Sequence, residues 1–309
     1  MKEQMVLVTS AAGGAQGQTG RHVTEKLRAK DVPVRAFVHR LDARSEYLRQ
    51  LGAELFVGDF LDIHSVRRAV QGVSSVYFAY PVQAGLLDAT AIMAFASRQA
   101  GIAHLVNLVM LQQSSPNAPT PRMQQNYLSE QVFEWAGIHV AHVRATVFYE
   151  NLKALVRLSL ATQGPIRLPW GRESTRVPLV AAEDVASVAA ALLTDPATPA
   201  GAAYPLIGAV LTLRDILDTF GRVLGRDLHY EEISDDAWRS DALARGYNPH
   251  SVEHLSHLWK AIRGAASQSR QLAVTDAIEG LGGAKPKSFD EFVREAQSAL
   301  TAEAQEMRA

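Results

Sequence analysis

The chain has 309 residues, 47% of them hydrophobic and 20% charged, the composition of a globular protein with two modest domains or one large domain and an appended lobe. Its 31 Lys and Arg and 32 Asp and Glu give a formal charge of -1, so neither a nucleic-acid partner nor an anionic membrane has electrostatic support. The chain contains no cysteine, which excludes disulfides, thiolate nucleophiles and cysteine-ligated metal centres.

The start of the chain and its apolar windows bear on location. Met1 to Gln4 lead directly into a strand-like run, without the apolar stretch and cleavage site of a secretory signal, so we expect a cytoplasmic protein. The window 179–193 is interrupted by Glu183 and Asp184, and no window reaches the roughly 20 apolar residues that a membrane span requires. We therefore expect no membrane partner.

From residue 5 to residue 143, short β-rich runs alternate with longer segments of helical period. Strands are predicted at 5–9, 34–38, 55–57, 75–79, 105–109 and 140–143, with one more at 203–207. Helices predicted at 86–100 and 123–136 end at Gly101 and Gly137, as helix C-termini prefer. This alternation predicts an α/β fold, a Rossmann-type doubly wound parallel sheet.

After Asn151 the order changes. A predicted helix at 152–161 is followed by a segment rich in Pro, Gly and Trp at 164–178, which reads as irregular, and the last hundred residues have mostly helical patterns. We assign 1–151 and 178–207 to a nucleotide-binding domain, and 152–177 and 208–309 to a smaller, mostly helical lobe.

A glycine-rich loop separates the first predicted strand from the first helix. Gly14, Gly17 and Gly20 form a G-x-x-G-x-x-G array there. Glycines at this position turn the chain, let backbone N–H groups approach a pyrophosphate and allow the helix to pack on the strand. The helix N-terminus then faces the anion. The alternative is a flexible turn, but the strand–loop–helix context favours a dinucleotide site.

The end of the second predicted strand indicates which dinucleotide. An acidic residue there would bind the adenosine ribose of NAD, but the strand ends in His39 and Arg40, and the first carboxylate is that of Asp42. Arg40, with His39 beside it, predicts NADP(H) over NAD(H), because a guanidinium binds a 2′-phosphate. The alternative is a solvated basic turn. Asp59 is expected beside the adenine, or as a helix cap, and Phe60 across the adenine face.

The residues resemble the NmrA-like family of atypical short-chain dehydrogenases over nearly the whole chain. The segments that carry the resemblance are the glycine loop, 34–40, 52–59, 144–151, 183–186 and 285–292. The family includes NADPH-dependent quinone reductases, triphenylmethane and azo-dye reductases, and proteins that sense the nicotinamide redox state. In the family, the segment matching 144–151 borders the nicotinamide. The resemblance leaves activity open.

The loop, the second strand and the resemblance together predict the cofactor contacts. They are Gly14, Gln16, Gly17, Gln18, Thr19, Gly20, His39, Arg40, Asp59, Phe60, Ala79, Tyr80, Val109, Phe148 and Asn151.

Two departures from the family pattern matter. Ser10 replaces the usual first glycine, in a loop that is one residue longer than usual. The Tyr-x-x-x-Lys pattern of short-chain dehydrogenases falls on Tyr127, but Gln131 stands where the lysine would be. A neutral glutamine cannot lower the tyrosine pKa electrostatically, so alcohol oxidation is not expected. Tyr127 remains the candidate proton donor.

Hydride transfer to a quinone, azo compound or similar conjugated acceptor requires fewer catalytic side chains than alcohol oxidation, because the cofactor supplies the hydride. An aromatic-lined slot would hold such an acceptor. The predicted lining is Tyr80, Met110, Tyr127, Phe148, Tyr149 and Trp170, with core packing as the alternative for each aromatic. The sequence thus predicts an NADPH-dependent oxidoreductase; the alternative is a non-catalytic NADP(H) sensor.

Two further features concern metals and partners. His250, Glu253 and His254 have the spacing of H-x-x-E-H, with His257 one turn later, but Asn248 and Pro249 explain the segment as a helix start, and we predict no metal site. The expected partner is a small-molecule acceptor. A homodimer or a regulatory protein partner is left open.

Overall fold

The computed structural model describes residues 4–13, 18–111, 118, 120–195, 197–267 and 272–307. The strands within these ranges are β1 (Val6–Val8), β2 (Val34–Val38), β3 (Glu54–Val57), β4 (Ser75–Phe78), β5 (His104–Met110), β6 (Val140–Ala145), β7 (Val147–Phe148), β8 (Ile166–Leu168), β9 (Arg176–Val180), β10 (Ala202–Leu206), β11 (Ala209–Thr212) and β12 (Tyr230–Glu232).

The helices are α1 (Thr19–Arg28), α2 (Ala43–Gln50), α3 (Ile63–Ala69), α4 (Leu86–Ala100), α5 (Pro121–Trp135), α6 (Tyr149–Thr162), α7 (Ala182–Thr194), α8 (Leu213–Leu224), α9 (Asp235–Ala244), α10 (Pro249–Ser267), α11 (Ala277–Gly282) and α12 (Phe289–Glu306).

The main sheet of the described residues has seven strands in the order β10-β6-β5-β4-β1-β2-β3, and every neighbouring pair is parallel. Val6, Leu7 and Val8 of β1 are fully buried, as expected for a central strand covered on both faces. The predicted Rossmann-type doubly wound sheet is confirmed. Between β1 and β4 the strand order reverses, which is the point where open α/β sheets bind ligands beyond the carboxyl ends of their strands.

Contacts divide the chain into two compact units. The first comprises the described parts of Met1–Thr146, Ala182–Leu206 and Asp276–Lys285, and the second those of Val147–Ala181, Ile207–Thr275 and Pro286–Ala309.

These unit boundaries differ from the predicted ones at 147–151, 178–181, 207 and 276–285. Residues 276–285 were expected in the helical lobe, but α11 packs on α7 of the first unit, where Gly282 lies against Ser187 and Val188. Residues 147–151 and 178–181 were expected in the nucleotide-binding domain, but β7 and β9 pair with each other in the second unit. Strand pairing and helix packing between distant segments decide both assignments.

The second unit is mostly helical but also contains two small sheets. One, in the order β11-β9-β7, joins an antiparallel and a parallel pair, and the other pairs β12 with β8 in parallel. The prediction that 164–178 is irregular was therefore wrong, because this segment contains β8 and the start of β9. Helix α8 begins with a capping box, in which the Thr212 and Asp215 side chains each accept from the other residue's backbone N–H.

No helix in the described ranges is both long and apolar enough to cross a membrane.

Candidate functional site

The ends of β1 and β4 are joined by side-chain hydrogen bonds at the point where the strand order reverses. The Thr9 hydroxyl donates to the Ala79 carbonyl across 3.1 Å and accepts from the Ala79 N–H across 2.8 Å. The Ser10 hydroxyl donates to the same carbonyl across 2.8 Å. These bonds fix the two chain segments that border the predicted nucleotide site, and they bury Ala79.

Ser10 takes the backbone conformation of the glycine that it replaces. Its φ is 50°, in the left-handed region that costs a residue with a side chain about 1 kcal/mol or more. The hydroxyl bond to Ala79 offsets part of this cost. Gly13 follows with a φ of 67°, so the chain turns tightly before the glycine loop.

The N-terminus of α1 packs closely against the end of β1. A Cβ atom on Gly20 would lie 2.6 Å from the Thr9 carbonyl oxygen and 2.7 Å from that of Ser10, so only glycine lets α1 pack this near to the end of β1. Gln18 precedes the helix without capping it through its side chain, and the first turn holds no acidic residue. In contrast, Asp42 and Asp62 cap α2 and α3.

Backbone N–H groups at the start of α1, together with the positive end of the helix dipole, fit an anionic group such as a diphosphate. Thr19 is buried beside Gly20 in this first turn. The predicted contacts Gly14, Gln16 and Gly17 lie outside the described residues.

The end of β2 presents cationic side chains. His39 and Arg40 are both exposed, and the Arg40 side chain, 74% accessible, lies 3.6 Å from an Asp42 carboxylate oxygen through its Nε. Arg44, which sequence reasoning missed, donates to the Gly13 carbonyl across 3.0 Å and to Asp42 across 2.6 Å. Arg44 therefore connects α2 to the start of the glycine loop. Its position in the first turn after the second strand is the signal that could have found it.

The Asp42 carboxylate is fully engaged by its own neighbours. One oxygen accepts from the backbone N–H groups of Arg44 and Ser45, and the other accepts from the Arg44 guanidinium. The Arg44 hydrogen bond lowers the pKa of Asp42 to about 2. This carboxylate is thus the N-cap of α2 rather than a free acceptor for a ribose hydroxyl.

The loop after β3 orders a short turn. The Asp59 carboxylate accepts from the Leu61 N–H across 2.9 Å, while Asp62 caps α3, so the alternative that Asp59 caps this helix was wrong. Phe60 is half-buried and stacks on Phe37 with 4.5 Å between the ring centroids. One face of the Phe60 ring is therefore already covered by protein.

Residues at the ends of β4 and β5 lie at the same edge of the sheet. Tyr80 is largely buried and its hydroxyl donates to the Ala84 carbonyl across 2.8 Å, which closes the loop before α4. On β5, Val109 is buried and Met110 is half-buried. Their side chains therefore alternate between the two faces of the strand.

Helix α5 carries Tyr127. Thr120 caps the helix, and Asn126, Ser129 and Phe133 lie on its buried face. Tyr127 and Gln131, one turn apart, are both half-buried at the side of this face.

Paired charges fix α5 to β6. The Arg144 guanidinium donates to both carboxylate oxygens of the buried Glu130, at 2.8 and 2.7 Å. Beside this pair, the buried His142 contacts the Asn107 amide at 3.3 Å and Glu134 at 3.2 Å. Burial lowers the pKa of His142, against the opposing pull of Glu130 and Glu134. The two-point Arg144–Glu130 contact holds the Tyr127 helix in one orientation.

Four predicted site residues lie in the second unit. Phe148 precedes α6 and Asn151 lies in its first turn, both half-buried. Tyr149 and Trp170 are each 0% exposed. Tyr149 packs against Phe289 and Phe292, and Trp170 packs against Trp259 at 5.0 Å between ring centroids. Both aromatics therefore pack in the core of their unit.

The histidines of the H-x-x-E-H segment lie on α10, and the His257 ring contacts the Glu253 carbonyl at 3.0 Å. No group of three potential metal-ligating side chains occurs among the residues that the structure describes.

A model of the NmrA-like family matches residues 2–293. The chain belongs to the NmrA-like family. This NmrA-like protein is 30% identical, over 303 residues that cover 97% of this chain and 100% of the relative, to (4-alkanoyl-5-oxo-2,5-dihydrofuran-3-yl)methyl phosphate reductase from Streptomyces griseus subsp. griseus.

Two solved structures share its fold. An NADPH-dependent quinone oxidoreductase from Escherichia coli, complexed with NADPH, has a TM-score of 0.78 and 20% identity, with 94% of this chain and 99% of that chain covered. NmrA, a negative transcriptional regulator, in complex with NAD, has a TM-score of 0.77 and 18% identity, with 97% of both chains covered. At these identities the likeness is one of fold.

Proposed function

We propose that this NmrA-like protein is an NADPH-dependent reductase that transfers hydride to a small, electron-poor conjugated acceptor. The observation that carries the proposal is the junction of β1 and β4. There the N-terminus of α1, which carries Gly20 and is not capped by the Gln18 side chain, faces the ligand-binding edge of the sheet. The full-length similarity to a reductase supports the same class of reaction.

The cationic end of β2 supports NADP(H) as the preferred cofactor. Arg40 and Arg44 can donate charge-assisted hydrogen bonds to a 2′-phosphate, and Arg44 already spans the distance to Gly13. The carboxylate of Asp42, which could otherwise bind a ribose hydroxyl, is occupied by Arg44 and Ser45. The remaining predicted cofactor contacts stay predictions.

The names of two similar proteins point to one type of acceptor. A quinone and a 5-oxo-2,5-dihydrofuran with a 4-alkanoyl group each have a carbon–carbon double bond conjugated to carbonyl groups. Bound NADPH supplies a hydride, and the acceptor gains two electrons and needs one proton to become neutral. The protein must orient the acceptor, exclude water and supply that proton.

Tyr127 is the proposed donor of the proton. It is half-buried, on a helix that the Arg144–Glu130 pair attaches to the sheet. Gln131 one turn later is neutral, which suits donation to a reduced conjugated acceptor and does not provide the cation that alcohol oxidation requires.

The second candidate function is a non-catalytic NADP(H) sensor. Gln131 in place of lysine favours it, and a solved regulator structure shares the fold. In that case the bound cofactor would alter the contact with a regulatory partner or a second copy of the chain.

Loss of NADPH absorbance over a panel of quinones, azo compounds and unsaturated lactones tests the proposal. We expect turnover above a protein-free blank for at least one conjugated acceptor, and weaker activity with NADH. Tight NADPH binding without any turnover would reject the reductase and leave the sensor. Failure to bind either nucleotide would reject both.

A further inference from the structure

Arg122 is a buried cation in the first turn of α5. Arg122 is only 6% exposed. Its guanidinium donates to the carbonyl oxygens of Tyr80 and Gln83 across 3.3 and 3.2 Å. Among the described residues, the buried Nε has no hydrogen-bond partner. The two backbone carbonyls therefore accept from only some of the five guanidinium N–H groups, so other N–H groups can donate to a ligand.

No carboxylate balances this charge within the described residues, where the only electrostatic neighbour that favours the charged form is the Tyr80 side chain. The ten residues that precede Arg122, 112–121, contain no Asp or Glu in sequence. Arg144 on the neighbouring strand β6, by contrast, is paired with the Glu130 carboxylate. An unbalanced guanidinium is costly to bury unless something else stabilises it.

The helix itself increases the positive potential at this point. The first turn of a helix carries partial positive charge, so Arg122 occupies the end where a cation is least favourable, and this turn has no acidic residue. Burial lowers the pKa of Arg122 to about 10, so the side chain still carries its charge at neutral pH. A buried positive charge at a helix N-terminus is a ready receptor for an anion.

Arg122 lies at the ligand-binding edge of the sheet. Helix α5 follows β5 and returns antiparallel to it, so its N-terminus is beside the carboxyl ends of β4 and β5. Long side chains in helices point toward the N-terminus, which directs Arg122 outward to the Tyr80 loop. The proposed diphosphate site at α1 is on the β1 side of this loop, so Arg122 lies on the side where β5 and the Tyr127 helix are.

We propose that Arg122 binds an anionic group of the acceptor, a phosphate monoester or a comparable oxyanion. The proposal rests on the proposed reductase function and adds a substrate class to it. The planar guanidinium fork matches the geometry of phosphate oxygens, and the free Nε supplies one donor of such a contact. Arg122 would thus select negatively charged conjugated acceptors over neutral ones.

The first test uses the unmodified protein saturated with NADPH. Inorganic phosphate, against chloride at the same ionic strength, should inhibit competitively with the acceptor and raise the melting temperature of the NADPH-bound protein. Phosphate that has neither effect would overturn the proposal, whether or not any variant folds.

The second test compares a neutral naphthoquinone with its sulfonated analogue in Arg122→Gln, Arg122→Lys and wild type. Arg122→Gln should lower kcat/KM for the sulfonated acceptor, relative to the neutral one, about tenfold or more. Arg122→Lys should recover part of this selectivity, and the dissociation constant of NADPH should stay within about twofold. Equal losses on both acceptors would assign Arg122 a structural role only.

Arg28→Gln is the matched control. Arg28 also donates to two backbone carbonyls, those of Leu51 and Val32, but at the C-terminal end of α1. Its removal should leave the ratio of the two acceptors unchanged. If wild type turns over neither acceptor, the proposed reductase function is rejected. The anion site is then tested by melting temperature alone: phosphate should raise it in wild type and should not raise it in Arg122→Gln.

Discussion

The Arg44 guanidinium and the Gly13 carbonyl are joined by a 3.0 Å hydrogen bond. It connects the first turn of α2 to the residue before the glycine loop, although the two residues are 31 positions apart in the chain. A cation is thereby held beside the loop, near the end of β2, where His39 and Arg40 predict a 2′-phosphate. Arg40, the residue that the sequence favoured, is more exposed and less constrained.

Arg44→Ala and Arg40→Ala should each weaken NADPH binding by about tenfold or more and NADH binding much less, because each removes a charge-assisted contact to the 2′-phosphate. We expect Arg44→Ala to have the larger effect, measured by nucleotide fluorescence titration. Arg49→Ala, which removes an exposed arginine of α2 paired with Glu46, should change neither affinity. Equal effects on NADPH and NADH would contradict a 2′-phosphate role.

Gly20→Ala should weaken the binding of both nucleotides and lower stability. The added Cβ would lie 2.6 Å from the Thr9 carbonyl oxygen, so α1 must move away from β1, which we expect to cost about 1–3 kcal/mol of unfolding free energy. Gly280→Ala is the control, since nothing lies within 4 Å of its added Cβ on α11. Urea unfolding and nucleotide titration check both. An unaltered affinity in Gly20→Ala would mean that the helix start does not contact the cofactor.

Tyr127→Phe should lower kcat by about tenfold to a hundredfold without a matching change in NADPH affinity, because it removes the proposed proton donor and keeps the ring. Steady-state rates with a conjugated acceptor, measured over a range of pH, check this. Leu128→Ala, the neighbouring half-buried position on α5, serves as a control for damage to the helix. A wild-type rate in Tyr127→Phe would mean that Tyr127 lines the pocket but does not donate the proton.

His142 should make stability decrease as the pH falls below about 6.5. Burial lowers its pKa in the folded protein, whereas in the unfolded chain it takes up a proton near pH 6.5. Below that pH the unfolded state binds more protons, so unfolding becomes easier by about 1 kcal/mol per pH unit until the folded-state pKa is reached. The charges of Glu130, Glu134 and Arg144 act on the same ring. They help to determine the folded-state pKa of His142, which is the lower end of the pH range over which stability decreases.

Urea unfolding of wild type and His142→Gln between pH 7.5 and 5, values chosen to bracket the ordinary histidine pKa of about 6.5, measures this contribution. His142→Gln should have the flatter dependence of the two, even if its stability at pH 7 is lower. His64→Gln, which changes an exposed histidine at the start of α3, should leave the slope as in wild type. Parallel slopes for wild type and His142→Gln would contradict the prediction.

The strands of the main sheet could be predicted closely because each is a short apolar run between helical segments. Strand Val34–Val38 and helix Leu86–Ala100 have the predicted bounds. The other strands of the main sheet agree with the prediction within one or two residues at their ends. The small strands of the second unit could not be found, since β7 and β8 have only two and three residues and are defined by their partners.

In the candidate site, too, some residues could be predicted from the sequence and others could not. Local signals, the glycines and the basic end of the second strand, predict a nucleotide site, and the roles of Gly20 and Arg40 in it stay predictions. No local sequence pattern marks Arg122 as a binding residue, and the position of Arg44 after the second strand is only a weak signal. Their importance comes from Gly13 and Tyr80, which lie 31 and 42 residues away in the chain.

The sequence by itself determined the parallel α/β sheet and the family, because periodicity and short motifs depend on neighbours within a few residues. Tertiary structure alone decided which side chains are enclosed. Tyr149 and Trp170 belong to the core because Phe289 and Trp259, far along the chain, pack against them. Burial without a counter-charge, as at Arg122, is likewise a property of all the elements that surround a residue, and no single segment contains it.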